Sequence, residues 1–345
     1  PGSRKTRLWN MPSDKGVAQA AKPESRQLSG AERREQWLAM LSKMQSWVGL
    51  LIVGGVFSVL TPVFLTEYNM LNILRQSAVT GILAAGMTFV IIAGGIDLSI
   101  GSVVALTGVV AAGLMQAGTN VGVAIIVALL IGLVFGIANG IAVAVVKIPA
   151  FIATLGTMTI GSSIALAYTQ GLPISSLPEP FTFLGQGSVG PIPTPVIIAA
   201  GVVIAAGFVL RRTIVGRYAY AIGGNEDASY LSGVPTTRWK IVMYGLLGLL
   251  AGIAGVVLTA RQNSGQPTAG SGIELTVIAA VVIGGTSLSG GRGSIWGSVA
   301  GTLLITVINN GLNLLNVSPY FQGMFVGALI LLAVGLDWRN RSSNA

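Results

Sequence analysis

The sequence has 345 residues with a formal net charge of +9; 52% of the residues are apolar, only 9% are charged, and the mean hydropathy is +0.77. Soluble domains carry about 25% charged residues, so this composition excludes an ordinary water-soluble protein and favours a bundle of membrane helices. The chain contains neither Cys nor His, which excludes disulfides, thiolate metal sites and catalysis by a cysteine or histidine side chain.

Residues 1–46 form a polar, basic segment that we predict to be a cytoplasmic tail. The tail lacks the apolar core of a signal peptide, and its first three residues, Pro-Gly-Ser, are typical of a cloning remnant. Because the positive charge lies in this tail and in short loops, it indicates membrane topology rather than a nucleic-acid-binding surface.

Ten apolar runs follow the tail, and each is a candidate membrane helix. The runs are 47–64, 78–93, 101–117, 121–146, 151–168, 195–210, 241–260, 275–285, 297–315 and 320–335. The eighth run has 11 residues, about 16 Å of helix, which is too short to cross a hydrocarbon core of about 30 Å. We therefore predict that it is a broken or re-entrant element.

The distribution of basic residues predicts the orientation of these runs. With the N-terminus inside and one crossing for each run, all but two of the 20 Lys and Arg residues fall on the inner side. The two exceptions are Arg75 and Arg261. Since cytoplasmic loops are enriched in Lys and Arg, the pattern predicts an even number of crossings and a cytoplasmic C-terminus.

Two loops are long enough to contribute to function. The outer loop, 169–194, contains five prolines and is either a stiff cap that receives a partner or a plain connector. In the inner loop, Asn225 can cap a short helix that carries Glu226 and Asp227 in its first turn and that ends at Gly233. Such a helix is either a rigid contact for a cytosolic partner or an amphipathic connector.

A weak internal repeat links two glycine-rich segments, 94–101 and 284–291, which share the pattern Gly-Gly-x-x-Leu-Ser-x-Gly. Broken helices in corresponding positions of a transporter often meet near the substrate path. Asp97, in the first copy, is the only acidic residue between Glu67 and Glu179. It either caps the helix that starts near Ser99 or lines the path.

Four amides on apolar runs are further candidates for the path, because an amide can bind sugar hydroxyl groups or a neighbouring helix. They are Asn139, Asn309, Asn310 and Asn313.

One motif does not indicate an activity of this chain. Residues 288–291 spell Leu-Ser-Gly-Gly, the signature of ATP-binding cassette ATPases, but the chain has no G-x-x-x-x-G-K-[ST] phosphate loop. We therefore predict a transport protein without an ATPase site or other enzyme activity, in which any ATP and Mg²⁺ would be bound by another chain.

Several blocks in the same order give the region 47–337 a resemblance to the ribose-type permeases of ATP-binding cassette (ABC) importers. The blocks are Gly94–Gly101 (GGIDLSIG), Gly223–Glu226 (GGNE), Leu231–Val234 (LSGV), Gln266–Gly270 (QPTAG), Ala279–Leu288 (AAVVIGGTSL) and Asn309–Leu315 (NNGLNLL). The tail before residue 47 is longer than the usual start of that family.

The resemblance implies an all-α, multi-pass protein of the bacterial inner membrane, with about ten transmembrane helices and a permease domain at 47–337. The tails, 1–46 and 338–345, would be cytoplasmic. The chain would pair with a second permease copy or a paralogue, two cytosolic ABC ATPase domains and an extracytoplasmic sugar-binding protein. It would translocate a ribose-like pentose, a hexose or a cyclitol by alternating access.

The inner loop would hold the coupling helix that docks on the ATPase. The residues implied in coupling are Gly223, Gly224, Asn225, Glu226, Ala228, Leu231, Ser232 and Gly233. The candidates for the translocation path are Asp97, Ser99, Asn139, Asn309, Asn310 and Asn313. The main alternative function is an ion-coupled secondary transporter of a small polar solute, although such a protein needs more charged residues in its membrane helices than this chain offers. An intramembrane enzyme is a weaker alternative, because the sequence has no clustered carboxylates.

Overall fold

The computed structural model describes residues 46–318 and, beyond them, residues 321, 323–325, 327, 328, 331 and 335. The described residues belong to one compact unit. Its helices are α1 (Ser46–Leu60), α2 (Glu67–Ile92), α3 (Ile100–Gln116), α4 (Val121–Ala144), α5 (Ala150–Thr169), α6 (Glu179–Gln186), α7 (Thr194–Arg212), α8 (Ile214–Gly224), α9 (Glu226–Leu231), α10 (Thr236–Gln262), α11 (Ile273–Ile283) and α12 (Ile295–Leu314). The strands are β1 (Ile174–Ser175), β2 (Ser188–Val189), β3 (Ile192–Pro193) and β4 (Ser264–Gly265).

Six of the described helices are long and apolar enough to cross a membrane, namely α2, α4, α5, α7, α10 and α12. Three shorter apolar helices, α1, α3 and α11, accompany them. The first nine apolar runs of the sequence each fall on one of these helices, as predicted. The tenth run, 320–335, lies largely outside the described residues.

Helix α2 begins much earlier than the apolar run that predicted it. The run starts at residue 78, whereas the helix starts at Glu67, where the Thr66 side chain accepts a hydrogen bond from the Asn69 backbone N–H. The first turns of α2 are polar, so a hydropathy pattern does not identify them as part of a membrane helix. They place a polar helix face inside an otherwise apolar bundle.

The centre of the bundle is built around α2 and α10. Phe89 and Met87 on α2 and Tyr244 and Leu247 on α10 are fully buried. Helix α4 packs closely against α10 because glycines meet there: a Cβ atom added to Gly136 would contact the carbonyl oxygen of Tyr244. Small residues allow such close helix contacts in lipid, where packing rather than water drives association.

The outer loop is more ordered than a plain connector. It contains helix α6 and an antiparallel pair of short strands, β2 and β3. Its strand β1 pairs with β4, which follows α10, so the loop is tied to the end of a central helix. The side chain of Phe181 on α6 is fully buried in this contact region.

The two copies of the glycine repeat end two helices in the same way. Gly94 (φ 79°) follows α2 and Gly285 (φ 87°) follows α11, and each occupies the left-handed region that favours glycine. The next residues complete the caps, since Gly95 N–H donates to the Val90 carbonyl and Thr286 N–H to the Val281 carbonyl. In these two caps Gly94 is therefore equivalent to Gly285, whereas the sequence pattern aligns Gly94 with Gly284.

The start of α11 lies against the start of α3. A Cβ atom at Gly101 would contact the carbonyl oxygen of Gly270 and the carboxylate of Glu274. Helix α11 has 11 residues, so the eighth run of the sequence forms a short helix. Two interrupted helices thus meet inside the bundle, the arrangement that marks substrate paths in many transporters.

Candidate functional site

A polar cavity of about 450 Å³ lies between α2, α10, α11 and α12 and opens at the surface of the bundle. Its lining residues are Asn72, Arg75, Gln76, Thr80, Arg261, Thr276, Ile305, Thr306 and Asn309. All of them except Ile305 carry a polar side chain, in a chain in which 52% of residues are apolar. Polar groups inside a membrane protein are costly and mark substrate paths, so this cavity is the first candidate for the functional site.

The α2 wall of the cavity is a single stripe. Asn72, Gln76 and Thr80 recur every four residues and therefore share one face of the helix. Arg75 extends the wall toward α10, where the Arg261 guanidinium donates a hydrogen bond of 3.2 Å to the Arg75 carbonyl oxygen. Both arginines that the charge pattern assigned to the outer side thus contribute to the cavity.

Several cavity side chains make no hydrogen bond within the part of the chain that the structure describes. They are Asn72, Arg75, Gln76 and Asn309, and the Oδ1 atom of Asn309 is buried without a partner. Neither arginine of the cavity forms an ion pair with a described carboxylate. The cavity wall therefore has unused hydrogen-bonding capacity.

Asn310, the residue that follows Asn309 on α12, does not line the cavity. Asn310 is 3% exposed and exchanges two hydrogen bonds with Asn69 on α2, of 2.9 Å and 2.8 Å. Asn69 also donates to the carbonyl oxygen of Phe64. Because successive helix residues are about 100° apart, Asn309 lies on the cavity face while Asn310 holds two helices together.

Asp97 is the centre of a buried network that joins three elements. Its Oδ1 atom accepts hydrogen bonds from the Ser99 backbone N–H (2.8 Å) and hydroxyl (2.6 Å), and its Oδ2 atom accepts one from the Asn139 amide on α4 (3.0 Å). The Thr157 hydroxyl on α5 donates to the side-chain Oδ1 atom of Asn139 (2.7 Å). Asp97 therefore fixes the segment just before α3 to α4 and α5, whereas the first turn of α3 has no side-chain cap.

The six path candidates of the sequence therefore occupy four different places. Asp97, Ser99 and Asn139 lie together in the buried network, and Asn310 lies in the amide pair. Asn309 lines the cavity, and Asn313, one turn further along α12, is exposed near the helix end. Sequence reasoning missed the α2 stripe, although its spacing of four residues was a readable signal.

The predicted short helix of the inner loop is α9. The Asn225 side chain accepts a hydrogen bond of 2.9 Å from the Ala228 N–H at its start, and Gly233 (φ 86°) follows its end, so the predicted cap and stop are confirmed. Glu226 forms an ion pair with Lys240 at the start of α10. The side chains of Tyr230 and Leu231 are 67% and 85% exposed. Helix α9 thus presents two large apolar side chains from a firmly anchored position.

The preceding helix, α8, is attached to the loop between α11 and α12. Gly223 lies so close to the end of α2 that a Cβ atom there would contact the Ile92 carbonyl oxygen. The same carbonyl accepts a hydrogen bond of 2.8 Å from Gly291 N–H. The Tyr220 hydroxyl donates to the Gly293 carbonyl oxygen (2.7 Å), and burial raises the pKa of this tyrosine above its ordinary value while nearby Arg211 opposes the shift.

Comparisons with known proteins agree with this architecture. The family described as "Branched-chain amino acid transport system / permease component" matches residues 69–334. The chain is 46% identical to the ribose import permease protein RbsC of Bacillus subtilis (strain 168), over 91% of this chain and 98% of that protein.

Two further relatives are also named as permeases for a sugar. RbsC of Escherichia coli (strain K12) is 46% identical over 88% of this chain and 96% of its own length. The L-arabinose transport system permease protein AraH of the same organism is 39% identical over 84% and 89%. No solved structure matches the chain. The chain therefore belongs to this family of transport-system permease components, within its ribose-type branch of ABC importer permeases.

Proposed function

We propose that the chain is the membrane-spanning permease subunit of a bacterial ABC importer that moves a monosaccharide across the inner membrane. Its relatives import ribose and L-arabinose, and the ion-coupled alternative finds no support among them. The chain itself acts as a conduit, and ATP is bound and hydrolysed by separate subunits. An extracytoplasmic binding protein delivers the sugar to the outer side.

The observation that carries this proposal is a continuous path of contacts from α9 to the cavity. Helix α9 follows α8 directly, α8 is attached to the loop that contains Gly293, and that loop joins α11 to α12. Thr276 on α11 and Asn309 on α12 line the cavity. A displacement of α9 by an ATPase therefore reaches the cavity wall through short helices and direct hydrogen bonds, which transmit motion better than a flexible loop.

Helix α9 provides the contact for the ATPase. An exposed pair such as Tyr230 and Leu231 is costly in water but suits an apolar groove on a partner. The residues assigned to coupling, from Gly223 to Gly233, serve two purposes in this proposal. Leu231 and Ala228 belong to the docking helix, whereas Gly223 and Asn225 fix its attachment to the bundle.

The proposal includes a second permease copy. A polar wall that opens at the surface of a membrane bundle cannot face hydrocarbon without a large cost, so it must face water or another protein. Two copies placed around a shared axis would enclose the cavity in a central path. We extend the proposal to about ten crossings in the domain 47–337, with both tails, 1–46 and 338–345, in the cytoplasm.

The docking of α9 is tested by replacing Leu231 with Asp and co-purifying the permease with its cognate ATPase. We expect the variant to insert normally but to lose ATPase binding and sugar import, because a carboxylate cannot enter an apolar groove without a desolvation cost. The matched control is Leu172→Asp, another well-exposed leucine (68%) that lies in the outer loop.

The control should retain the bound ATPase. If Leu231→Asp keeps the ATPase and imports sugar normally, the assignment of α9 as the docking helix is wrong. A cysteine placed at position 231 should also react with an impermeant thiol reagent from the cytoplasmic side alone. Reaction from the outer side would overturn the proposed topology.

A further inference from the structure

We propose that a groove between α2, α7 and α12 binds an anionic phospholipid, with an acyl chain along the groove and the phosphate beside Arg211 at the end of α7. The groove has a volume of about 260 Å³ and shares no lining residue with the polar cavity. In the topology of the proposed function, on which this clause rests, the end of α7 is cytoplasmic and the lipid belongs to the inner leaflet.

The groove offers almost no hydrogen-bonding capacity to a ligand. Two of its lining side chains, Ser77 and Thr302, carry a hydroxyl group. Each hydroxyl already donates to a backbone carbonyl oxygen of its own helix, at 3.0 Å to Leu74 and at 2.9 Å to Ser298. The other polar lining group is the indole N–H of Trp296. The groove therefore suits a hydrocarbon chain rather than a polar solute.

The groove is too small for a helix of a partner protein. One turn of helix with its side chains, about 10 Å wide and about 5.4 Å long, occupies about 420 Å³, which exceeds the volume of the whole groove. The floor of the groove is open, since Gly81 is buried and yet a Cβ atom added there would meet nothing within 4 Å. A single acyl chain is narrow enough to enter this space.

One end of the groove provides donors for a phosphate. The Nε1 atom of Trp296 lies 3.9 Å from the position of a Cβ atom added at Gly207 on α7. Arg211 follows Gly207 by four residues and therefore shares its helix face. Long helical side chains lean back over the preceding turn, which brings the Arg211 guanidinium toward the indole. The indole N–H has no acceptor within the part of the chain that the structure describes, and Trp296 is 41% exposed.

Arg211 is available to a negatively charged ligand. Arg211 and Arg212 are exposed, and neither forms an ion pair with a carboxylate of residues 46–318. The electrostatic effect of Arg211 on Tyr220 places the guanidinium near the start of α12, because the Tyr220 hydroxyl is bonded to Gly293. The positive end of the α12 dipole also favours an anion there. A phosphate bound at this point would accept hydrogen bonds from the guanidinium and the indole.

The headgroup makes this site selective. Lipid tails are as apolar as the groove, so an acyl chain gains only packing contacts when it leaves the surrounding lipid. A basic residue at the membrane surface strengthens the binding of an anionic lipid by about 5-fold, equivalent to about 1 kcal/mol. The site should therefore prefer phosphatidylglycerol to phosphatidylcholine, in which an ammonium group offsets the phosphate charge.

Native mass spectrometry of the full-length permease tests the headgroup contact. It measures the affinity for the first bound lipid, with dioleoylphosphatidylglycerol and dioleoylphosphatidylcholine as probes. We expect wild type to bind phosphatidylglycerol more tightly, and Arg211→Gln to weaken that binding by about 5-fold while phosphatidylcholine binding is unchanged. The matched control Arg238→Gln removes an exposed charge at the start of α10, outside the groove, and should bind both lipids like wild type.

A second pair of variants tests the groove itself. Ala200→Phe places a ring in the groove and should remove the tight site for phosphatidylglycerol. Ala205→Phe places the same ring at an exposed alanine of α7 that does not line the groove, and it should have no effect. Phosphatidylglycerol should also raise the midpoint temperature of unfolding of wild type and Ala205→Phe but not of Ala200→Phe, because a ligand of the folded state stabilises it.

Three outcomes would overturn the lipid site. They are equal affinities of wild type for the two lipids, tight binding of phosphatidylglycerol by Ala200→Phe, and an equal loss of binding in Arg211→Gln and Arg238→Gln. If Ala200→Phe keeps its lipid but changes a dimer into monomers in size-exclusion chromatography, the groove is instead a contact between two copies. The measurements use neither sugar nor ATPase, so their failure leaves the proposed function standing, and a failure of sugar import leaves the lipid site standing.

Discussion

Asn69 on α2 and Asn310 on α12 exchange two side-chain hydrogen bonds although 241 positions separate them in the sequence. Both amides are 3% exposed. The pair fixes the rotation of α12 about its own axis and thereby directs the neighbouring Asn309 toward the cavity. One amide of the Asn-Asn step is structural, and the other is available for a ligand.

The amide pair predicts a strong coupling between two substitutions. We expect Asn69→Ala and Asn310→Ala each to lower the free energy of unfolding, because each leaves a buried amide without its partner. The double variant should lose little more than either single one, with a coupling energy of about 0.6–1.7 kcal/mol, the range for hydrogen bonds between membrane helices. Unfolding of the purified permease in detergent measures the cycle, and strictly additive losses would contradict the pair.

The Asp97 network predicts a graded loss of stability. Asp97→Ala removes the acceptor for three donors, two on Ser99 and one on Asn139, and an orphaned buried polar group costs about 1–3 kcal/mol. Thr157→Val removes a single peripheral bond and should cost clearly less. The midpoint temperatures of thermal unfolding of the two variants measure the order of these stability losses. Equal midpoints for wild type and Asp97→Ala would show that the network contributes nothing.

Two adjacent glycines should respond differently to alanine. A Cβ atom at Gly223 would contact the Ile92 carbonyl oxygen and the Gly291 nitrogen, both backbone atoms, whereas one at Gly224 would meet nothing within 4 Å. We expect Gly223→Ala to displace α8 at a cost of about 1–3 kcal/mol and to uncouple ATP hydrolysis from import. Gly224→Ala should import normally. Equal import by the two variants would argue against coupling through this contact.

The contact between α4 and α10 provides a similar comparison within the membrane. Gly136→Ala forces a Cβ atom against the backbone of Tyr244, Gly245 and Gly248 and should destabilise the protein by about 1–3 kcal/mol. Gly201→Ala, in the exposed middle of α7, meets nothing within 4 Å and should be neutral or stabilising by about 0.5–1 kcal/mol. Thermal unfolding of the two variants measures the difference, and a more stable Gly136→Ala would refute the close packing.

The Tyr220 contact should be insensitive to pH across the physiological range. The neutral hydroxyl donates to Gly293, and burial raises its pKa above the ordinary value of about 10. Its stabilising contribution is therefore fully present below pH of about 10 and is lost only as the pH rises through the higher folded-state value.

Tyr220→Phe tests this predicted pH dependence directly. The variant should be less stable than wild type by about 0.5–1.5 kcal/mol, and the difference should be the same at pH 6, 7.5 and 9. Thermal unfolding at the three pH values measures it. A difference that shrinks between pH 7.5 and pH 9 would mean that the tyrosine ionises within this range.

Much of the fold was readable from the sequence because its signals are local. Apolar runs predicted the helices, and the short eighth run predicted α11. The side chain of Asn225 and the flexibility of Gly233 predicted both ends of α9. The polar start of α2 was missed, since a hydropathy pattern cannot distinguish a polar helix face that lines a cavity from a loop.

The candidate site was only partly readable. Asn309 and Asn310 are the same residue type at adjacent positions, and no local feature separates the one that faces a cavity from the one that bonds Asn69. Asp97 was recognised as unusual, but its partners Asn139 and Thr157 lie on other helices. Arg75 and Arg261 were assigned to the same side of the membrane without any indication that they meet.

The sequence by itself determined the membrane setting, the helices, the cap of α9 and the family, because hydropathy, helix capping and residue blocks are encoded in neighbouring residues. The tertiary structure alone decided which polar groups are satisfied and which remain unused, and how α8 reaches the loop before α12. Hydrogen-bond partners are set by helix rotation and close backbone packing between segments far apart in the chain, as the bonds from Asn310 to Asn69 and from Gly291 to Ile92 demonstrate.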